Sequence, residues 1–258
     1  MRIDVYLASS GILSSRTEAK NMIELGAVFV DGKQVTRPSF EVDGLEDKIT
    51  VDRSMKQYVS RGGVKLAGAL AEFKVSPAGK DCIDVGASSG GFTDCLLQNG
   101  ANSVVAVDSG YGQLVKSLRD HPRVTTVENY NARYMKQGDF PHLFSFAVMD
   151  VSFISAKYII EPLYACLSDG ADFICLIKPQ FEVGKAGIGK GGIVKDDKLR
   201  RAAVDGVVEF ARAVGFDCLG LIQSSIKGGD GNIEFLAHFK KIKGGCFLEK
   251  GGYHHKHK

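Results

Sequence analysis

The chain has 258 residues, of which 44% are hydrophobic and 24% are charged, and its formal net charge is +3. This length suits one large domain plus a small one, no apolar run approaches the ~20 residues of a membrane-spanning helix, and the N-terminus lacks the apolar core of a signal peptide. The six cysteines form no CxxC pair, so we expect reduced thiols in a cytoplasmic protein without a disulfide framework, a structural metal or a membrane partner.

The first predicted unit is a small α+β domain at residues 1–58. SRTE at residues 15–18 has the spacing of a helix capping box, and the following AKNMIELG predicts a short amphipathic helix that ends at Gly26. VFV-DG-KQV then predicts two strands joined by a two-residue turn at residues 31–32. Residues 48–51 predict a third strand.

The second predicted unit is an α/β domain at residues 65–245. A polar stretch that contains Gly62 and Gly63 precedes it, and we interpret residues 59–64 as a flexible linker. Strands (KDCIDVG, SVVAVD, SFAVMDV, ADFICLI, CLGLIQS) then alternate with helices such as GGFTDCLLQNG and LRRAAVDGVVEFARAVG. This alternation predicts an open parallel sheet with helices on both faces, and NIEFLAHFKK adds a strand at the end of the sheet. We assign no fold to the basic tail at residues 246–258.

A glycine-rich loop, DVGASSGGF at residues 84–92, follows the first strand of this domain and opens a helix. Its glycines allow a ligand to approach the backbone. Asp108 ends the next strand, where an acidic residue can hydrogen-bond both hydroxyls of a ribose. These features predict a cofactor with an adenosine half, either NAD or S-adenosylmethionine. The predicted contacts from this region are Asp84, Gly86, Ala87, Ser88, Gly90, Phe92 and Asp108.

The spacing of the loop favours one of these two cofactors. Its glycines follow G-x-x-x-G-G and not G-x-G-x-x-G, so no third glycine lies where a pyrophosphate would need it. Asp84, ahead of the first glycine, suits the positively charged amino-acid end of S-adenosylmethionine. We therefore expect S-adenosylmethionine.

Two charged residues lie where predicted strands end. Asp150 follows SFAVM, and Lys178 follows ADFICLI. Both are thereby placed at the carboxyl edge of a parallel sheet, where ligands bind in this architecture. Pro179 biases Lys178 towards an extended backbone, which directs its side chain out of the strand.

Five motifs in this order, SRGGVKL, DVGASSGGFTD, AVMDVSFIS, LIKPQFEVGK and GGDGNIEFLAHF, resemble those of the FtsJ-like 2'-O-ribose RNA methyltransferases. SRTEAKNMIELGAVFVDGKQV resembles an S4-type RNA-binding domain. Together they are more closely similar to the TlyA family of rRNA cytidine 2'-O-methyltransferases, which also carries an old haemolysin label. The resemblance covers roughly residues 1–243. It implies a Rossmann-like S-adenosylmethionine-dependent methyltransferase domain behind a small α+β S4-type domain, with rRNA or a ribosomal subunit as partner.

The resemblance also implies a catalytic set, carried here by Lys65, Asp150, Lys178 and Glu234. Removing the proton of a ribose hydroxyl assists methyl transfer, and burial near a second cation (Lys65) would favour a neutral amine, so we interpret Lys178 as the base. Asp150 and Glu234 would orient the lysines, and Asp150 would also touch the methionine part of the cofactor. The resemblance implies an adenine contact within VENYNARYM, where we favour Asn131, although many relatives of the wider fold have Asp at that position.

Each catalytic candidate also has a purely structural explanation. Lys65 could be a solvated residue in the first turn of a helix. Glu234 could be a charge on an edge strand that guards against aggregation. Asp150 and Lys178 could form a salt bridge between strand ends. Because all four residues fall in one family's order, the catalytic interpretation is favoured.

Arg16 and Lys20 are four residues apart and share one helix face, which suits contact with RNA phosphates, although it could equally be a solvated face. With the resemblance, we predict Arg2, Arg16, Lys20, Lys33 and Arg61 as RNA-binding residues. The longer basic N-terminal arm of some TlyA-type proteins is missing, and by resemblance such shorter forms act on large-subunit rRNA. The alternatives are a nicotinamide-dependent oxidoreductase, a non-catalytic RNA-binding protein and a membrane-active haemolysin.

Overall fold

The computed structural model describes residues 1–24, 26–44, 46–53, 58–184, 187–228 and 230–243. These residues form a small unit with a three-stranded sheet and a large unit with a seven-stranded sheet. The basic tail predicted at residues 246–258 lies outside the described residues, and so does part of the stretch before the large unit.

In the small unit, two helices precede the predicted hairpin. Its elements are α1 (Ile3–Ser9), α2 (Arg16–Glu24), β1 (Val28–Val30), β2 (Lys33–Val35) and β3 (Ile49–Val51). β1 pairs antiparallel with both β2 and β3. Asp31 and Gly32 have φ values of 49° and 76°, the left-handed pair that a tight two-residue hairpin turn requires. The hairpin prediction is therefore confirmed, and a core that includes Ile3, Leu7 and Ile23 joins the helices to the sheet.

The large unit alternates strands and helices as predicted. Its elements are α3 (Arg61–Phe73), β4 (Asp81–Val85), α4 (Gly91–Gln98), β5 (Ser103–Val107), α5 (Lys116–Arg119), β6 (Val124–Val127), β7 (Phe144–Met149), α6 (Lys157–Ala165), β8 (Leu167–Ile177), α7 (Asp197–Val214), β9 (Phe216–Gln223) and β10 (Phe235–Lys241). The strand order is β6-β5-β4-β7-β8-β10-β9. Neighbouring strands from β6 to β8 are parallel, which confirms the predicted doubly wound core.

The last strand departs from the prediction. β10 is antiparallel to both β8 and β9 and lies between them, so it is not at the end of the sheet. Leu236, Ala237 and Phe239 are fully or almost fully buried. Because β10 has buried side chains on both faces, it suits an interior position in the sheet. After the buried Phe216, β9 alternates exposed and partly buried residues, and it forms the edge strand.

The predicted flexible linker at residues 59–64 also differs from the structure. Gly62 and Gly63 lie in the first turn of α3. A Cβ atom at Gly63 would overlap the Tyr58 side chain, and the Val59 amide donates to Asp94 at 2.8 Å. The glycines here permit close packing, and residues 61–64 form the first turn of α3 where we predicted a linker.

A buried carboxylate lies near the start of the long apolar part of β8. Asp172 accepts hydrogen bonds from Lys80 at 2.8 Å and Lys240 at 3.1 Å, and it contacts His238 Nε2 at 3.0 Å. Burial alone would raise the pKa of Asp172, but the bonds from His238, Lys80 and Lys240 outweigh it and hold the pKa well below its ordinary value. The network ties β8 and β10 to the segment before β4.

We expect Asp172→Asn to lower the free energy of unfolding near neutral pH by about 3 kcal/mol, because it leaves buried donors without their counter-charge. Since the pKa of Asp172 is lower in the folded than in the unfolded state, this stabilisation is present above the unfolded pKa of about 3.9. It is lost as the pH falls through the folded value. Urea denaturation of both proteins over a range of pH measures the difference.

Asp120→Asn is the control, because Asp120 pairs with Lys116 on the exposed surface, where ion pairs contribute little. If both variants lost the same free energy of unfolding, Asp172 would have no special role. The same conclusion would follow if the loss in Asp172→Asn did not become smaller at acidic pH.

Candidate active site

The loop between β4 and α4 needs its glycines for two different reasons. Gly86 has φ 84°, and a Cβ atom there would overlap the backbone oxygen of Asp150. Gly90 has φ 98°, and a Cβ atom there would overlap Leu118. Neither position accepts another residue without strain. The loop therefore lies directly against the end of β7, which carries Asp150.

A cavity of about 330 Å³ opens beside this loop at the carboxyl edge of the sheet. The predicted cofactor residues that line it are Gly86, Ser88, Asp108, Asn131 and Asp150. A second cavity of about 210 Å³ adds Ala87, Phe92 and Lys178. Both cavities share Gly86, Ser88, Asp150 and Ser152, so the two are adjacent. Gly90 lines neither cavity, and its contribution is to the shape of the turn.

Asp108 is oriented by backbone amides. Its Oδ2 accepts from the Ser88 amide and its Oδ1 from the Gly110 amide, each at 2.7 Å. Asn131 Oδ1 accepts from the Arg133 amide at 3.1 Å. Both side chains are held by local backbone at the wall of the larger cavity, as a nucleoside site requires.

Asp84 lies behind the cavity and does not line it. The side chain is fully buried, its Oδ2 accepts from Thr93 Oγ1 at 2.6 Å, and its Oδ1 has no hydrogen-bond partner among the described residues. Burial raises the pKa of Asp84 to about 7, the bond from Thr93 opposes this, and the nearby charges of Asp150 and Asp108 add to it. A buried oxygen without a hydrogen-bond donor lowers the stability of the fold. A ligand that donates a hydrogen bond to this oxygen would remove that cost.

Two lysine–carboxylate pairs occupy the same edge of the sheet. Lys178 Nζ lies 2.5 Å from Asp150 Oδ1 and donates to Ser152 Oγ at 2.7 Å. Lys65 Nζ donates to Glu234 Oε2 at 2.5 Å, and only 7% of Lys65 and 3% of Glu234 are exposed. The solvated-helix explanation of Lys65 is therefore wrong. Glu234 adjoins the interior strand β10, so the edge-strand explanation is wrong as well.

The strand register explains why these residues meet. Phe235 of β10 pairs with Ile177 of β8, which makes Glu234 and Lys178 the next residues along their strands. Met149 of β7 pairs with Cys175 of β8, so Asp150 reaches the same edge. α3 then brings Lys65 against Glu234. All four sequence-predicted catalytic residues are thereby brought to one end of the sheet.

Phe153 was missed by sequence reasoning. It is 92% exposed, lines the larger cavity and has φ 64°, a backbone region that bulky residues rarely adopt. Its ring centroid lies 5.3 Å from that of Phe181. Gln113 and Tyr130, which also line this cavity, were missed too. No periodicity marks such loop residues, although a phenylalanine so soon after the strand-end Asp150 could have drawn notice.

The predicted RNA-binding residues lie on the small unit and the start of α3. Arg2 and Arg16 both contact the buried Asp4 at 3.0 Å. Burial alone would raise the pKa of Asp4, but the bonds from both arginines hold it below its ordinary value. Arg16, Lys20 and Arg61 line a groove of about 500 Å³, whereas Lys33 lies exposed on the hairpin and lines none of the cavities described here.

A wider cleft of about 850 Å³ separates the small unit from the β9–β10 connection. Arg37, Arg61 and Lys227 line it, and no acidic residue does so among the described part of the chain. The Arg61 guanidinium donates to the Lys227 backbone oxygen. Arg37 and Lys227 are exposed and were not predicted from the sequence. We call this space the basic cleft.

Within the described ranges, no group of three or more His, Cys, Asp or Glu side chains is arranged to hold a metal ion. No helix in that part of the chain has the length and apolarity needed to cross a bilayer.

Comparison with known proteins identifies the family. Residues 58–241 match the FtsJ-like methyltransferase model, and residues 1–49 match the S4 domain model. The chain is 42% identical to the 16S/23S rRNA (cytidine-2'-O)-methyltransferase TlyA of Mycobacterium tuberculosis, over 91% of this chain and 88% of that protein. It is 42% identical to Hemolysin A of Brachyspira hyodysenteriae, over 93% and 99% of the two chains.

A solved structure titled "Putative hemolysin from Streptococcus thermophilus" is 43% identical and superposes with a TM-score of 0.73, over 94% of this chain and 88% of that one. The sequence-based family prediction is confirmed. The chain belongs to the FtsJ-like methyltransferases that carry an N-terminal S4 domain, and its cofactor is S-adenosylmethionine.

Proposed function

We propose that the protein methylates the 2'-hydroxyl of a cytidine in rRNA, with large-subunit rRNA as the first substrate to test. The observation that carries this proposal is the meeting of two lysine–carboxylate pairs beside a nucleoside-sized cavity. The name of the Mycobacterium tuberculosis relative, which specifies cytidine 2'-O-methylation of both rRNAs, supports the reaction type.

The residues of the cavity fit S-adenosylmethionine. Asp108 offers a fixed carboxylate to ribose hydroxyls, and Asn131 lies beside it for the adenine. Behind the cavity wall, the unpartnered Oδ1 of the buried Asp84 suits the ammonium group of the methionine part. Gly86 lets the ligand approach the backbone, and Asp150 lies at the junction with the second cavity. When bound, the cofactor supplies an electrophilic methyl group.

Lys178 is the proposed base. Its Nζ would accept the proton of the 2'-hydroxyl as the hydroxyl oxygen takes the methyl group and the methyl–sulfur bond of the bound cofactor breaks, which leaves the sulfur as a neutral thioether. Asp150 and Ser152 hold Nζ at the edge of the second cavity. Once the proton has been transferred, the Asp150 carboxylate stabilises the ammonium that forms. Asp150 thus both positions the Lys178 amine and stabilises the positive charge that forms on it.

Lys65 and Glu234 form the second pair, which is almost completely buried. Because Glu234 adjoins Lys178 in the strand register, the pair adds one further cation and one carboxylate next to the reacting group. We assign them the orientation of Lys178 and the ribose. Buried ion pairs contribute little net stability on average, so a role in the reaction accounts for this pair better than a role in folding.

RNA would enter along the cationic surfaces. The groove with Arg16 and Lys20 and the basic cleft with Arg37 and Lys227 share Arg61. Gly228 in the cleft lies so close to Glu234 that a Cβ atom would approach its Oε1 to 2.5 Å. Phosphates bound in the basic cleft would therefore be next to the catalytic residues. Phe153 offers an exposed ring for stacking a base at the cavity mouth.

We expect Gly86→Ala to weaken S-adenosylmethionine binding by about tenfold or more, since strain of the order of 1–3 kcal/mol would push Asp150 from the cavity wall. Isothermal titration calorimetry measures the change. Gly79→Ala is the matched control, because Gly79 has φ 68° and a Cβ atom there would meet no other atom within 4 Å. Equal affinities of the two variants would show that contact with Asp150 is irrelevant.

Lys178→Ala should reduce methyl transfer to rRNA by about 10²–10⁴-fold, the range for loss of a general base, and leave RNA and cofactor affinities largely intact. The measurement is incorporation of labelled methyl groups at saturating RNA and cofactor. Lys116→Ala, which removes a surface cation paired with Asp120, is the control. Near-normal turnover by Lys178→Ala would exclude Lys178 as the base.

Arg16→Ala combined with Lys20→Ala should weaken RNA binding, and so should Arg37→Ala combined with Lys227→Ala. Each pair should reduce the slope of log K against log salt by about 1–2, because each lost phosphate contact contributes about 0.7–0.9. Binding is measured by fluorescence anisotropy over a salt series. Lys116→Ala serves again as the surface control. A pair of substitutions that leaves the slope unchanged would show that its groove holds no RNA.

A further inference from the structure

Two loops at the active site are joined by three successive sets of side-chain contacts. Residues 150–156 follow β7, and residues 178–182 follow β8. Lys178 contacts Asp150 and Ser152. Further along both loops, the rings of Phe153 and Phe181 meet. The third contact is made by Glu182, which binds Ser155 and Ala156. Neither the motif spacing nor the proposed chemistry assigns Glu182 a role.

Glu182 holds both its carboxylate oxygens against the first loop. Oε2 accepts from Ser155 Oγ at 2.6 Å, and Oε1 accepts from the Ala156 amide at 2.7 Å. Ala156 is the residue before α6, so the carboxylate also lies at the positive end of that helix. The contacts span 26 and 27 residues of sequence, and they therefore fix one loop relative to another.

The environment of Glu182 is unfavourable for a carboxylate. Burial raises its pKa above the ordinary value, although the bonds from Ser155 and Ala156 and the charge of Lys157 act in the opposite direction. Cys175 of β8 also lies near Glu182, whose charge raises the pKa of the Cys175 thiol further above the ordinary value that burial already exceeds. A charged group kept in such a place must be held by specific contacts, and here each carboxylate oxygen accepts a short hydrogen bond from residue 155 or 156.

We propose that Glu182 is a positioning residue that fixes Ser155 and Ala156 and thereby holds the turn with Asp150 and Ser152 in register with Lys178. This inference rests on the proposed function for its effect on catalysis. It does not require Glu182 to touch RNA or cofactor. Misplacing a catalytic group by about 1 Å can cost on the order of a hundredfold in rate.

A simple helix cap is the competing explanation, and the chain contains a matched example. Asp196 caps α7 through the amides of Lys198 and Leu199. It acts within its own segment and joins no catalytic loop. Asp196→Ala therefore removes a cap of similar kind without disturbing the contacts between residues 150–156 and 178–182.

The test compares the full-length protein with Glu182→Ala, Glu182→Gln and Asp196→Ala. We expect kcat to fall about a hundredfold in Glu182→Ala and about tenfold in Glu182→Gln, which retains one acceptor oxygen, with KM for RNA little changed. Asp196→Ala should keep its kcat. Ser155→Ala should add little to Glu182→Ala, because both remove the same contact.

Amide hydrogen exchange provides a readout that does not depend on activity. Residues 150–156 should lose protection in Glu182→Ala and keep it in Asp196→Ala. A wild-type protein without methyl transfer would contradict the proposed function, and the exchange measurement would still decide the positioning role. Unchanged protection of residues 150–156 in Glu182→Ala would overturn that role, as would equal kcat values per folded molecule in all variants.

Discussion

The parallel alignment of β4, β7 and β8 is the constraint on which the site depends. Parallel strands end at the same edge, and this edge receives the glycine loop after β4, Asp150 after β7 and Lys178 after β8. The insertion of β10 beside β8 adds Glu234 to the same edge. A change of register by one residue would turn these side chains to the other face of the sheet. The sheet therefore determines the chemistry more than any single loop does.

Close backbone packing is the second condition. Gly86 lies against the backbone of Asp150, and Gly63 lies against Tyr58. At both positions a side chain would occupy space that another part of the chain already fills. The first contact joins the glycine-rich loop to the edge of the sheet that carries Asp150. The second sets the start of α3, the helix that delivers Lys65 to Glu234.

Local pattern was sufficient to predict much of this architecture. The Asp31-Gly32 turn and the alternation of strands and helices are governed by neighbouring residues, so the sequence predicts them directly. Strand ends were equally informative for Asp150 and Lys178. Tertiary context decided the rest. The position of β10 between two strands depends on burial that the sequence pattern does not specify. Gly62 and Gly63 suggested flexibility because the sequence pattern does not identify the residues that pack against them.

The candidate site shows the same division. Asp108, Asn131 and Ser88, three of the predicted cofactor contacts, line the cavity. Asp84 is buried behind the cavity and would reach a ligand only through its unpartnered oxygen. Phe153 and Glu182 lie inside the motifs AVMDVSFIS and LIKPQFEVGK, but neither periodicity nor spacing assigns them a role, and Lys227 lies outside the five motifs. Their positions follow from loops whose conformation is set by contacts across the fold. The roles of such residues can be inferred only from the folded structure, in which the loops that carry them lie next to each other.

Mapping of 2'-O-methyl groups on rRNA shows whether the protein methylates a cytidine and whether that methylation requires Lys178. The rRNA would come from cells with the gene, from cells without it and from cells that carry only the Lys178→Ala form. We expect a methylated cytidine that is present in the first sample and missing from the other two. Identical methylation in all three samples would contradict it.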